Sequence, residues 1–168
     1  MAETKNIMIV GVGGQGTLLT SRILGGITVE AGYDVKLSEV HGMAQRGGSV
    51  VTYVRYGEKV AEPIVEEGQA DVLIAFERLE ALRYAHFLKK DGVIILMKGN
   101  YEGEIKVLNT YKNELNISTI DIINYDILSN ENNRSLIVIK KNNESSKVVN
   151  YAKLLKQSEN RKKKLNLK

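Results

Sequence analysis

Four glycines within six residues, Gly11-Val12-Gly13-Gly14-Gln15-Gly16, stand between an apolar run and a helical pattern. A glycine in a regular element costs about 0.5–1 kcal/mol, so this density marks backbone that needs positive φ or close approach of another group. Unencumbered N–H groups at a helix start meet the positive end of its dipole, which suits a phosphate, pyrophosphate or carboxylate. The spacing Gly11-x-Gly13-x-x-Gly16 is that of a dinucleotide fingerprint, with Glu39 near where a ribose-binding acid would stand. Thr17 follows Gly16 with no lysine between, which removes the phosphate loop of nucleoside triphosphatases. Tight packing of the helix on a sheet, with no ligand, accounts for the same glycines.

A second loop carries the other candidate chemistry. In "SEVHGMAQRGGSV", Glu39, His41, Gln45 and Arg46 are crowded between glycines directly after a strand. His41 can accept or donate a proton near neutral pH, and Arg46 offers a planar fork for a phosphate or carboxylate. Taken singly, His41 reads as a hydrogen-bonded loop residue and Arg46 as a surface charge. Together they read as a polar loop able to complete a site beside the first.

The elements that must position these loops follow from periodicity. Ile7–Val10 reads as a buried strand, Thr17–Glu30 as a helix with Leu18, Leu19, Ile23, Leu24 and Ile27 at helical spacings, and Gly32 as its stop. Residues 34–40 and 49–56 read as strands, and the stretch between them is too short for a crossover helix. Asp71–Phe76 reads as a strand, Glu77–Lys89 as an amphipathic helix, Asp91-Gly92 as a turn and Val93–Met97 as a strand. Beyond Gly99 the pattern weakens: Ser118–Ile123 suggests a strand, and Arg134–Lys141 a strand or half a helix. The alternation predicts a Rossmann-like open α/β sheet, mostly parallel, with an antiparallel insertion.

Composition sets limits on function. At 168 residues with 43% hydrophobic content the chain suits one globular domain, residues 1–150, followed by a lysine-rich tail, 151–168. The net charge of +4 is a tail property: residues 151–168 carry seven Lys/Arg against one acid, leaving 1–150 at −2. Such an end reads first as solvated or frayed, and neither nucleic acid nor a membrane is expected as partner. No apolar run or basic-then-apolar leader points away from the cytoplasm. With no cysteine and two distant histidines, an iron–sulfur cluster, a thiol nucleophile or a zinc site is not expected, so a redox centre would belong to a partner.

"GVGGQGTLLTSRIL" followed by "SEVHGMAQRGGSVVTYVRYG" resembles the gamma-domain family of 2-oxoacid:ferredoxin oxidoreductases, and within it the beta subunits of the indolepyruvate type. The similarity continues through "ADVLIAFERLEALRY" and "LKKDGVIIL", about the first 98 residues. It implies a non-redox subunit of a complex that oxidises arylpyruvates with coenzyme A to aryl-acetyl-CoA, carbon dioxide and reduced ferredoxin. Thiamine diphosphate and the clusters are then expected in a large alpha subunit, with no cofactor bound by this chain alone. Coenzyme A is the co-substrate and ferredoxin the electron acceptor. The resemblance assigns Gly11, Gly13, Gly14, Gln15 and Gly16 to cradling a phosphate of coenzyme A or thiamine diphosphate, and Glu39, His41, Gln45 and Arg46 to completing the site with the partner. Two rivals remain: a stand-alone NAD(P)-dependent oxidoreductase, and a non-catalytic assembly module. Past Gly99 only "SSKVVNYAKLL", 145–155, looks like the helical end of the family.

Overall fold

The computed structural model of the chain describes residues 3–42, 47–125 and 134–142. The expectations for Gln45, Arg46, the 145–155 segment and the tail lie outside them. Element order is β1 (Lys5–Val12), α1 (Thr17–Glu30), β2 (Asp34–His41), β3 (Ser49–Gly57), β4 (Ala70–Ala75), α2 (Arg78–Tyr84), a 3₁₀ turn (Ala85–Phe87), β5 (Leu88–Lys98), α3 (Glu102–Thr110), β6 (Ile117–Tyr125) and β7 (Arg134–Lys141).

The strands form one sheet in the order β2-β3-β1-β4-β5-β7-β6. Only β1–β4 and β4–β5 pair in parallel, while β1–β3, β2–β3, β5–β7 and β6–β7 are antiparallel. The expected mostly parallel, Rossmann-like sheet is therefore corrected to a mixed, mostly antiparallel one. The physical reason lies in the connections. A parallel neighbour needs a crossover of a dozen or more residues, and residues 42–48 and 126–133 are too few to carry the chain back to the same sheet end. Both flanks consequently close antiparallel around a three-strand parallel centre.

Cross-strand register sorts the side chains onto two faces. Met8, Val10, Val51, Tyr53, Leu73 and Ala75 are buried together, with Ala81 and Tyr84 of α2 and Phe87 packed on them. The opposite face carries Ile9, Thr52 and Val54, and α1 packs there on β1, β2 and β3. Apolar periodicity located α1 to the residue, yet its buried row is Thr17, Ser21 and Gly25, while Leu19, Ile23 and Ile27 face outward. Small residues let the helix sit close: a Cβ on Gly25 would lie 3.0 Å from Leu37 Cδ1. The buried Ser21 hydroxyl is satisfied inside the helix, donating to the Leu18 carbonyl at 2.8 Å.

Two further expectations change. The helix expected to reach Lys89 ends at Tyr84, and Asp91-Gly92 is no turn but lies within β5. Register against β4 shifts between Ala70 and Val72. A Cβ at Gly92 would come within 2.6 Å of Leu88 Cγ and 3.0 Å of the Ala70 carbonyl oxygen, so glycine there admits the irregular crossing. Helix α3 went unread because it is only nine residues long and buries none of them.

Candidate functional site

The glycine loop sits at the carboxyl end of β1, beside the parallel strand β4. Gly14 and Gly16 hold φ of +95° and +90°, left-handed conformations that side chains resist. Gly11 serves close packing instead: a Cβ there would meet Gln15 Oε1 at 2.8 Å, Thr17 Cγ2 at 3.0 Å and Phe76 Cβ at 3.1 Å. Gln15 ties the loop internally, its Oε1 accepting from Val12 N–H at 2.9 Å while its own N–H donates to the Val12 carbonyl at 3.2 Å. Helix α1 begins with Gly16 as N-cap, no side-chain cap and no acid in its first turn. Its first intrahelical bond runs from Thr20 N–H to the Gly16 carbonyl. The leading amides thus point to the loop without an internal acceptor, the arrangement an anion completes.

The second loop is bound to the first. Gly13 N–H donates to the Gly48 carbonyl at 2.9 Å, and Val12 pairs with Ser49 across β1–β3. Gly47 takes φ +73° just before that contact. Behind it stands Glu80, buried on α2, which sequence reading did not single out. Ser49 Oγ donates to Glu80 Oε2 at 2.6 Å, Arg83 contacts Oε1 at 2.9 Å, and Glu80 N–H donates to the capping carboxylate of Glu77 at 2.9 Å. The available signal was Glu77-x-x-Glu80 at a helix start; burial of the second acid is a tertiary fact.

Glu39 and His41 share one face of the edge strand β2, in register with Thr52 and Val50 of β3. Both are exposed, and His41 Nδ1 lies 3.2 Å from the Gly42 carbonyl oxygen. Since β3 separates β2 from β1, Glu39 stands two strands from the glycine loop, about 10 Å across the sheet. A dinucleotide site puts its ribose acid on the strand next to β1, so this order removes the acid that supported the NAD(P) reading. The described residues therefore bring together the whole first loop and the base of the second, and keep Glu39 and His41 on the adjoining edge.

A cleft of about 360 Å³ opens beside the first loop, lined by Gln15, Phe76, Met97, Lys98, Tyr125 and Arg134. It lies outside the carboxyl ends of β4 and β5, where open α/β sheets place ligands. Lys98 is held by Glu104 at 2.9 Å. Arg134 and the aromatic Tyr125 come from the weakly patterned part of the chain and Lys98 from the end of β5 just before it, and only the tertiary fold gathers them. Among the described residues no His/Cys/Asp/Glu group could hold a metal ion, and no helix is long and apolar enough to cross a membrane.

The family described as "Pyruvate ferredoxin/flavodoxin oxidoreductase" matches residues 6–161. The chain is 55% identical over 89 residues to "Indolepyruvate oxidoreductase subunit IorB" of Thermococcus kodakarensis, covering 53% of this chain and 44% of the relative. It is 56% identical over 91 residues to the protein of the same description from Archaeoglobus fulgidus, covering 54% and 45%. The chain thus spans less than half the length of these relatives. It is also similar in structure to the pyruvate oxidoreductase subunit PORC of Thermotoga maritima, at TM-score 0.47 and 20% identity over 62% of this chain and 68% of that one.

Proposed function

The chain belongs to the pyruvate ferredoxin/flavodoxin oxidoreductase family, and on that premise we propose that it acts as the non-redox subunit of an indolepyruvate-type complex. The complex oxidatively decarboxylates arylpyruvates with coenzyme A, yielding aryl-acetyl-CoA, carbon dioxide and reduced ferredoxin. The observation that carries this reading is the joint one: two hydrogen-bonded glycine loops at the end of a parallel strand, in a segment over half identical to IorB subunits. A cysteine-free chain offers no thiolate to a cluster, so iron–sulfur and thiamine diphosphate chemistry is assigned to a large alpha subunit, and electrons leave through ferredoxin. The complex is placed in the cytoplasm.

Within that complex this chain binds and orients. The uncapped start of α1, with Gly14 and Gly16 in left-handed conformations, suits a phosphate of coenzyme A or of thiamine diphosphate. Gly11 and Gln15 keep the loop in shape, and Gly13 holds it against the second loop. Glu39 and His41 lie on the strand leading into that loop, and together with Gln45 and Arg46 of the loop sequence they are assigned to completing the site with the partner. Arg46 is assigned an anionic group of the substrate, met by its planar fork.

Reconstitution with the large subunit tests the reading. The isolated chain is expected to reduce no viologen with indolepyruvate and coenzyme A, and the complex to do so. In the complex, kcat/KM should fall from wild type to Arg46→Lys to Arg46→Ala, the last by about ten- to a hundredfold for a lost charge-assisted contact. An isolated chain that turned over an arylpyruvate would end the subunit assignment, and equal kinetics for all three complexes would take the second loop out of the site.

A further inference from the structure

Glu80 is a buried carboxylate that the proposed chemistry leaves unused. The residue is 4% exposed, and its helix neighbours Ala81 and Tyr84 pack on the apolar core. A leucine there would serve packing at least as well, because a buried ion pair gains in attraction about what its desolvation costs. What the carboxylate adds is direction. Oε2 accepts from Ser49 Oγ at 2.6 Å, and Oε1 is held by Arg83 at 2.9 Å. The Glu77 carboxylate, accepting from the Glu80 N–H at 2.9 Å, fixes the turn that carries it.

Ser49 is where this contact meets the glycine loops. Its backbone pairs with Val12 of β1, and the carbonyl of the preceding Gly48 accepts from Gly13 N–H at 2.9 Å. Gly47, at φ +73°, and Gly48 have no side chains with which to brace their own peptides, so the Ser49 hydroxyl is the first anchor after them. The chain entering α2 also reaches the opposite flank of the loop. Phe76 N–H donates to the Val10 carbonyl at 2.9 Å, and a Cβ on Gly11 would lie 3.1 Å from Phe76 Cβ. Since β3 and β4 flank β1, residues 76–80 bracket the glycine loop from both sides.

We propose that Glu80 is a positioning residue: through Ser49 it holds the Gly47–Gly48 backbone against Gly13 and so keeps the glycine loop in the shape that receives a phosphate-bearing ligand. This rests on reading that loop as the cradle for a phosphate of coenzyme A or of thiamine diphosphate. Acting through Ser49, Glu80 governs how tightly the ligand is held and not the chemical step.

The test uses Ser49→Ala, Glu80→Leu, their double variant and Glu80→Gln. In the isolated chain, hydrogen exchange of the Gly13 amide should speed up about tenfold in Ser49→Ala and in Glu80→Leu, with the Ile9 amide at the centre of β1 unchanged. In the reconstituted complex, half-saturating concentrations are measured separately for coenzyme A and for thiamine diphosphate. One of them should rise by about three- to tenfold in either single variant and no further in the double, with kcat within about twofold of wild type. The ligand that responds is the one the loop meets. Glu80→Gln, whose amide oxygen still accepts from Ser49, should restore most of the loss. Ser49→Ala, which removes a single hydroxyl, carries the test should Glu80→Leu fail to fold. Unchanged Gly13 exchange would overturn the proposal, as would additive losses in the double variant or a lowered Tm with both half-saturating concentrations unmoved. A wild-type complex inactive towards arylpyruvates would overturn the functional reading alone, and Gly13 exchange would then decide whether Glu80 holds the loop.

Discussion

Gly14 and Gly16 bend the chain where no side chain fits the backbone, and Gly26, in the exposed part of α1, does nothing of the kind. A Cβ at Gly14 or at Gly26 meets no atom within 4 Å, so space is equal at the two and conformation alone separates them. Gly14→Ala is expected to cost about 1–2 kcal/mol by forcing a left-handed alanine, while Gly26→Ala should add about 0.5–1 kcal/mol by restoring helix propensity. Urea melts of the two variants check the signs; equal shifts would mean that the loop is not held in the left-handed conformation. This part of the site was legible because a glycine's demand on φ is local. Glu80 was not, because its burial against Ser49 depends on where α2 lands on the sheet. The cations lining the cleft were invisible for the same reason: Lys98 and Arg134 are far apart in sequence and meet only through strand order.

Helix α1 shows what periodicity does and does not fix. Its limits follow from Gly16 before it and Gly32 after it, but the apolar row at 19, 23 and 27 is the outer one. A row of Leu and Ile would hold the helix too far from a sheet that it approaches through Gly25. Ile23→Gln should therefore change stability by less than about 0.5 kcal/mol, as for an exposed site, and Gly25→Leu should cost about 1–3 kcal/mol by overpacking against Leu37. Thermal or denaturant melts of both decide it; a large loss from Ile23→Gln would reverse the helix's orientation. Strands rich in β-branched and aromatic residues, such as 49–56, were read at nearly full length because that composition is itself the strand signal, and both faces are largely buried. The end of α2 was overextended because Leu88 continues the helical spacing while serving as the first residue of β5.

At the scale of the whole molecule, the parallel centre was legible and the antiparallel majority was not, since local sequence does not reveal which edge of the sheet a returning strand joins. The resulting sheet has two unlike poles. The glycine loops and the cleft occupy the end where β1 and β4 finish. The end where they begin is tied by polar contacts: Asn6 N–H donates to Asp71 Oδ2 at 2.8 Å, Asn6 Nδ2 to the Gln69 carbonyl at 3.0 Å, and Arg55 Nε to Asn6 Oδ1 at 2.8 Å. Lys89 joins through Asp71 Oδ1 at 2.8 Å, and that hydrogen bond raises the lysine's pKa above its ordinary 10.5 despite burial acting the other way. Eight residues of β1 put about 25 Å between the poles, so stability and ligand handling should separate under mutation. Asp71→Asn removes the charge that Asn6 N–H, Lys89 and, at 3.9 Å, Lys5 share, and is expected to cost about 1–3 kcal/mol at neutral pH. The pH dependence has a definite sign. A group whose pKa is raised on folding lends stability that is complete below its unfolded value and lost as pH climbs through the folded one. The wild type should therefore hold its advantage over Asp71→Asn up to about pH 10.5 and lose part of it above, the remainder being the Asn6 contact. Melts from pH 7 to about 11.5 measure that difference, and unchanged coenzyme A kinetics of the reconstituted variant complex measure the independence of the poles. A constant difference across the alkaline range would show that Lys89 takes no part, and a fall in kcat/KM as large as that of Arg46→Ala would show that the two ends act as one.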